Sequence, residues 1–285
     1  MKYLARLLKF YRMDFCIRNL GLGVIALLSL DSLPKPATAV VVLLQLLLIQ
    51  MHSFSMNDYF DFKVWGEENY IGVLLRDGMN EKTAVILTIL PLLIIGLTAF
   101  FNSGYLWLLA VYAVLFFFYQ APFARLKDNY LLSILVNSLC LGFILYVFPF
   151  LSLAKRFTLT AGVFSVIFFF YLAFHEVIHQ IAHFGRDKIY SLPRAIGIEK
   201  SVRVAEAFLI IPLFAALIAV AINPLRYFFF TGTIIFSSLR AYVLQKTEPI
   251  QENFIKLRER NDKFYSFQEG FYYLFFLSLG HIARG

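Results

Sequence analysis

The chain has 285 residues, 60% of them hydrophobic and 15% charged, and its mean hydropathy is +0.72. That composition excludes an ordinary soluble domain and describes an integral membrane protein. The balance of 26 Lys and Arg against 18 Asp and Glu gives +8, which in a bilayer protein reflects the positive-inside bias rather than nucleic-acid binding.

Apolar runs of helical length fall near 14–32, 37–57, 83–101, 105–121, 130–151, 158–179, 203–222, 226–245 and 264–283, each bounded by charge, Pro, Gly or Asn. They predict an all-α protein of about nine spans in one polytopic domain, 1–285, with the lipid bilayer as its solvent. With the amino terminus in the cytoplasm, 19 of the 26 basic residues lie on inner segments, five on outer ones and two inside spans. This asymmetry predicts a cytoplasmic amino terminus and an external carboxyl terminus. Most of the remaining charge sits on inner loops near 58–82, 180–203 and 246–263, so any chemistry is expected on the cytoplasmic side. Cys16 and Cys140 lie in separate apolar stretches and offer neither a disulfide framework nor a zinc-knuckle spacing.

Ionisable groups at the ends of apolar helices mark the candidate site, because such groups usually face a cavity and a partner. In the second run Asn57, Asp58 and Asp61 stand at helical spacing and project to one side of a helix end. Paired carboxylates repel unless a cation lies between them, and a hard ion such as Mg²⁺ needs only one or two of them when phosphate oxygens complete its shell. In the sixth run Glu176, Gln180, His183 and Asp187 fall within about 60° on a helical wheel and predict one polar stripe. The same stretch spells His175-Glu176-x-x-His179, the spacing of a zinc metalloprotease, in which two His bind zinc and Glu176 acts as base. A third ligand for that site would have to be His183, which a straight helix turns away by about 80° from His175.

Together these pieces resemble the UbiA superfamily of intramembrane prenyltransferases. Asn57-Asp58-x-x-Asp61 is similar to the family's first acidic motif, and Arg76 with Gly78 to a following Arg-containing turn. Tyr119-Gln120-Ala121-Pro122-Phe123-Ala124-Arg125-Leu126-Lys127, with Asn137 and Gly142 after it, is the most specific match. His179-Gln180-x-x-His183-x-x-x-Asp187 resembles the second acidic motif. Two departures stand out: Trp65 occupies the place of a third acid in the first motif, and His183 that of an acid in the second.

The resemblance implies a nine-helix bundle that transfers a prenyl group from a prenyl diphosphate to a small, commonly aromatic acceptor. It implies Mg²⁺ at Asp58, Asp61 and Asp187 with His183 in the fourth place, and Mn²⁺ as the softer alternative that suits imidazole better. Asn57, Arg76, Tyr119, Arg125, Lys127, Gln180 and Lys188 would bind substrate, and Glu176 or His179 would take the acceptor's proton. A prenyl-diphosphate binder or cyclase with altered chemistry is the alternative within the family, and the zinc protease the alternative outside it.

Overall fold

The computed structural model describes residues 2–66, 68–154, 156–184, 190–261 and 266–282. Among these the chain is helical throughout, and each of the nine apolar runs coincides with a helix or a helix stack: α2 (Met13–Leu28), α3 (Pro36–Trp65), α5 (Glu81–Thr98), α6 (Leu106–Gln120), α7 with α8 (Tyr130–Asn137 and Leu145–Ala154, joined by a π-helical stretch Ser138–Ile144), α9 (Leu159–Ala182), α11 (Ile198–Ile222), α12 (Thr231–Lys246) and α14 (Ser266–Ile282). Five of these are long and apolar enough to cross a membrane: Pro36–Val64, Glu81–Thr98, Tyr130–Ala154, Leu159–Ala182 and Ile198–Ile222. The other four have 16, 15, 16 and 17 residues, short of the roughly 20 that a full hydrocarbon thickness takes. The protein is therefore a multi-pass helical membrane protein in which, among the described residues, five helices have the length and composition to span and the other four apolar runs lie on shorter helices.

Four short helices occupy segments expected as termini and inner loops: α1 (Lys2–Phe10), α4 (Tyr70–Arg76), α10 (Leu192–Ile196) and α13 (Gln251–Arg260). The helix starts follow local capping chemistry. Asn69 accepts from the backbone N–H of Gly72 at 2.8 Å to open α4, Asn80 from Lys82 at 2.8 Å to open α5, and Asn129 from Leu131 at 3.0 Å to open α7. Pro36 starts α3, and Gly66, at φ 64°, ends it in the left-handed conformation that suits glycine.

The core runs from Ile25 on α2 to Leu277 on α14 and is densest around α7–α8 and α9. Large apolar side chains on the outer faces, such as Ile86, Leu93, Leu97, Ile218 and Phe271, are exposed toward what lipid would cover. The π-helical stretch lies against α9 so closely that a Cβ added to Gly142 would come within 2.5 Å of the backbone oxygen of Phe168. A second, smaller cluster of Phe10, Tyr11, Ile71, Leu74 and Ala84 seats the end of α1 and α4 on α5. Tyr11 adds a hydrogen bond from its hydroxyl to the Leu87 carbonyl at 2.7 Å, which brings Arg12, the next residue, beside the acidic turn.

Candidate active site

The last turns of α3 carry Asn57, Asp58 and Asp61 into a polar cavity of about 450 Å³, whose wall also includes Lys9, Arg12, Asp14, Phe15, Asn69 and Tyr70. Asp58 and Asp61 are buried, and each meets a cation. Arg12 reaches Asp58 Oδ1 at 3.3 Å, with its guanidinium stacked 4.3 Å from the Phe15 ring. Lys127 donates to Asp61 Oδ1, Asn57 donates to Asp61 Oδ2 at 2.9 Å, and Arg125 Nη2 stands 4.0 Å from Asp61. Arg125 Nε also lies 2.9 Å from Asp128. Burial pushes the Asp128 carboxyl above its ordinary range, and the Arg125 and Lys127 charges pull it back. Asn69 donates to the backbone carbonyl of Asp58 at 2.7 Å and so ties the start of α4 to the acidic turn. On the other flank of the same turn, Met56, Tyr59 and Phe60 help to line an apolar cavity of about 440 Å³.

Of the predicted stripe, Glu176 and Gln180 stay together on α9 and His183 turns away. Helix α9 ends at Ala182, and His183 sits in the cap with φ −101° and ψ 5°, so it leaves the helical register. Glu176 faces α7, where it accepts from Ser133 at 2.7 Å and Asn137 at 2.9 Å and, within α9, from Gln180 at 3.1 Å. Gln180 in turn accepts from the backbone N–H of Leu192 at 2.9 Å. His183 faces α13, where Arg258 donates to its Nε2 at 2.5 Å, and the His179 ring lies 4.5 Å from that of His183. Asp187 and Lys188 lie outside the described residues. None of the α9 residues lines the polar cavity around Asp58 and Asp61. Tyr119 is the link between the two clusters: its hydroxyl meets Ser133 at 3.2 Å and accepts from Asn137 at 3.0 Å, while the neighbouring Gln120 donates to the Ser53 carbonyl on α3 at 3.3 Å.

Arg76 closes the last turn of α4 on the protein surface, 3.5 Å from Glu68 and 6.0 Å over the Phe62 ring, and does not line the polar cavity. Two cations that the motifs did not single out, Lys9 and Arg12, do line it; they count only as positive-inside charge until α1 is seen to fold onto α4 and α5. The zinc arrangement is not assembled either. His175 meets Ser266 at 3.3 Å, Glu176 turns to α7 and His179 to His183, so the three residues address three different neighbours. Among the described residues no three His, Cys, Asp or Glu side chains converge to hold a metal ion. The donor set at Asn57, Asp58 and Asp61 is nevertheless all oxygen, which suits a hard divalent ion that takes the rest of its shell from phosphate and water.

Comparison with known proteins agrees with this architecture. A family model described as the UbiA prenyltransferase family matches residues 20–258. No curated protein sequence matches the chain. Among solved structures, one from work on digeranylgeranylglyceryl phosphate synthase in membranes is similar with a TM-score of 0.74 and 15% identity over 96% of this chain and 98% of that one. A UbiA homologue from Archaeoglobus fulgidus bound to Cd²⁺ gives 0.72 and 16% over 96% and 99%, and the same organism's homologue bound to DMAPP and Mg²⁺ gives 0.71 and 15% over 93% and 98%. At such identities the structural likeness speaks for the fold alone. The family match covers most of the chain, and the chain belongs to the UbiA prenyltransferase family.

Proposed function

We propose that the protein transfers a prenyl group from a prenyl diphosphate to a small aromatic acceptor within the membrane, with Mg²⁺ as the metal. The observation that carries this reading is a polar cavity lined by two buried carboxylates, Asp58 paired with Arg12 from the same wall and Asp61 with Lys127 and Arg125 from behind it. The same composition is what a metal-bound diphosphate requires: hard oxygens for the metal and cations for the phosphate oxygens. The A. fulgidus homologue with DMAPP and Mg²⁺, and the one with GPP and Mg²⁺, support the substrate class and the metal.

In this reading Asp58 and Asp61, with Asn57 beside them, hold the metal from α3, and Asp187 and His183 belong to the facing motif. When bound, Mg²⁺ supplies a positive charge that neutralises the diphosphate and stabilises it as it departs. Arg125, Lys127 and Arg12 grip the diphosphate oxygens, where negative charge grows as the allylic C–O bond breaks, and fixed cations in a water-poor site favour that step. The apolar cavity lined by Tyr59, Phe60, Phe117 and Phe118 offers aromatic faces for the cationic carbon and a dry surface for hydrocarbon. The acceptor's electrons form the new bond, and its proton passes to Glu176, which Ser133 and Asn137 join to Tyr119; His179 is the second candidate base. The 19-to-5 charge asymmetry supports a cytoplasmic amino terminus and a site on that side.

The test is to incubate the detergent-purified protein with labelled prenyl diphosphates, with and without Mg²⁺. Diphosphate release that needs Mg²⁺ is the expected result. No release from any chain length, together with stoichiometric zinc that is lost on His175→Ala, would overturn the reading in favour of the protease.

A further inference from the structure

Helix α1 divides its positions into three sectors. At about 100° per residue Leu4, Leu7 and Leu8 fall within about 100°, Lys2, Arg6 and Lys9 within about 60° on the opposite side, and Phe10 between the two. Phe10 marks the docked sector: it is buried with Tyr11, Ile71, Leu74 and Ala84, which hold the end of α1 against α4 and α5. The three leucines are left 63%, 41% and 44% exposed, and the helix contains no acid. A helix fastened to the bundle at one end, with leucines along one side and cations along the other, is built to lie in the plane of a membrane surface. Lys9 sets its orientation, because it lines the polar cavity and the leucines lie on the other side of the helix. Arg18 on α2 is a second, independent sign. It stands about 7.5 Å along the helix from Met13, a rise comparable with one headgroup layer. It is exposed beside Ile17, itself 61% exposed, and its guanidinium lies 4.7 Å over the Phe15 ring. Among the described residues neither Arg18 nor Arg6 has a hydrogen bond or ion pair through its side chain. An exposed arginine among apolar residues of a membrane helix is costly unless it reaches the interface, where its planar fork matches phosphate oxygens.

We propose that α1 and the first turns of α2 form a docking surface for anionic phospholipid, with Leu4, Leu7 and Leu8 in the acyl layer and Arg6 and Arg18 on lipid phosphates. The bilayer is the occupant because the spanning helices already hold the chain in it, and α2, which α1 leads into, presents Ile17 to the same medium. Charge selects the lipid. Residues 2–18 hold five cations and one acid, and each cation close to a negatively charged leaflet adds to the attraction. Lys9 rides on the same helix, so lipid that holds α1 in the surface also holds one wall of the polar cavity.

The full chain in lipid nanodiscs tests this with a bimane probe on Leu8→Cys, the natural Cys16 and Cys140 being buried. The discs hold phosphatidylcholine and, at equal mole fraction in separate samples, phosphatidylglycerol or phosphatidylcholine brominated in its acyl chains. Brominated chains quench a probe that lies in their own layer, so the expected result is quenching by lipid and shielding from aqueous iodide. Brominated phosphatidylglycerol should be enriched about fivefold beside the probe relative to brominated phosphatidylcholine, and less so as salt is raised. With Arg6→Gln and Arg18→Gln together the enrichment should vanish while quenching by brominated phosphatidylcholine stays as it was, and Arg6→Lys with Arg18→Lys should keep most of it. Equal quenching by the two lipids when both arginines are present, or quenching of the probe by iodide, would overturn the proposal. A probe shielded from lipid and iodide alike would also overturn it, because a second copy or another protein would then cover the leucine face.

Discussion

Arg12 and Arg125 approach the Asp58–Asp61 pair from separate elements, and both do so with left-handed backbone, at φ 49° and 35°. Among the described residues the only other non-glycine with such a φ is Tyr105. A side chain with a Cβ is disfavoured there by about 1–2 kcal/mol, and strain of this kind persists where surrounding contacts over-determine it. Arg125→Gly should therefore be more stable than Arg125→Ala by about 1 kcal/mol in thermal unfolding, since glycine takes the same φ without penalty. Both variants should lose affinity for a prenyl diphosphate analogue to a similar degree. Equal stability of the two variants would show that the backbone at Arg125 carries no such strain.

The acids and the His-Glu-x-x-His stretch make opposite predictions. Asp58→Ala and Asp61→Ala should lower Mg²⁺-dependent diphosphate release by about 10²–10³-fold, because the lost charge is one that the reaction itself depends on. His175→Ala should change it far less, since that side chain contacts Ser266 on α14, away from the polar cavity. Rates of release for the three variants, read beside their zinc content, separate the two chemistries. A His175→Ala loss as large as that of the aspartates would contradict the placement.

The apolar runs made most of the fold legible, because lipid demands long hydrophobic segments and the chain supplies them at regular intervals. They could not reveal α1, α4, α10 and α13, which are short and, in α13, rich in charge, and which owe their helicity to docking rather than to composition. Two consequences at the site follow. Arg12 and Lys9 were legible only as charge, since their arrival at Asp58 depends on Phe10 and Tyr11 seating α1. Arg258 was likewise hidden in a predicted loop, and its hydrogen bond with His183 needs α13. The Asn57-Asp58-x-x-Asp61 and Arg125-x-Lys127 segments were readable because each lies within one local turn. His183 leaves the stripe because helical periodicity was extended past the end of the helix at Ala182.

At Gly142 the π-helical stretch lies against the α9 backbone, and α7, which leads into it, sets Ser133 and Asn137 against Glu176. Gly142→Ala puts a methyl group 2.5 Å from the Phe168 carbonyl oxygen, where backbone and not a flexible side chain must yield. A cost of about 1–3 kcal/mol is expected, seen as a lower thermal midpoint in detergent. Gly21→Ala, with nothing within 4 Å of the added atom, is the matched control and should leave the midpoint unchanged or raise it slightly. Similar losses at both glycines would argue against a close contact at Gly142.

A buried charge pair also joins α12 to α14, far along the chain from the acidic turn. Arg240 on α12 donates to Glu269 on α14 at 2.6 Å, both are almost fully buried, and the guanidinium also lies 4.6 Å over the Tyr171 ring of α9. Tyr273 donates to the other oxygen of Glu269 at 2.9 Å, so the carboxylate is satisfied on both sides. Removing one partner strands the other charge in a medium that cannot solvate it, whereas removing both leaves only a packing problem. Arg240→Met and Glu269→Leu should each destabilise the protein by about 3–5 kcal/mol, and the double variant should recover most of that loss. Thermal unfolding of the four proteins in one detergent gives the coupling directly. If the single losses simply add in the double variant, the pair does not act as a unit, and the closure of α14 onto α12 rests on apolar packing instead.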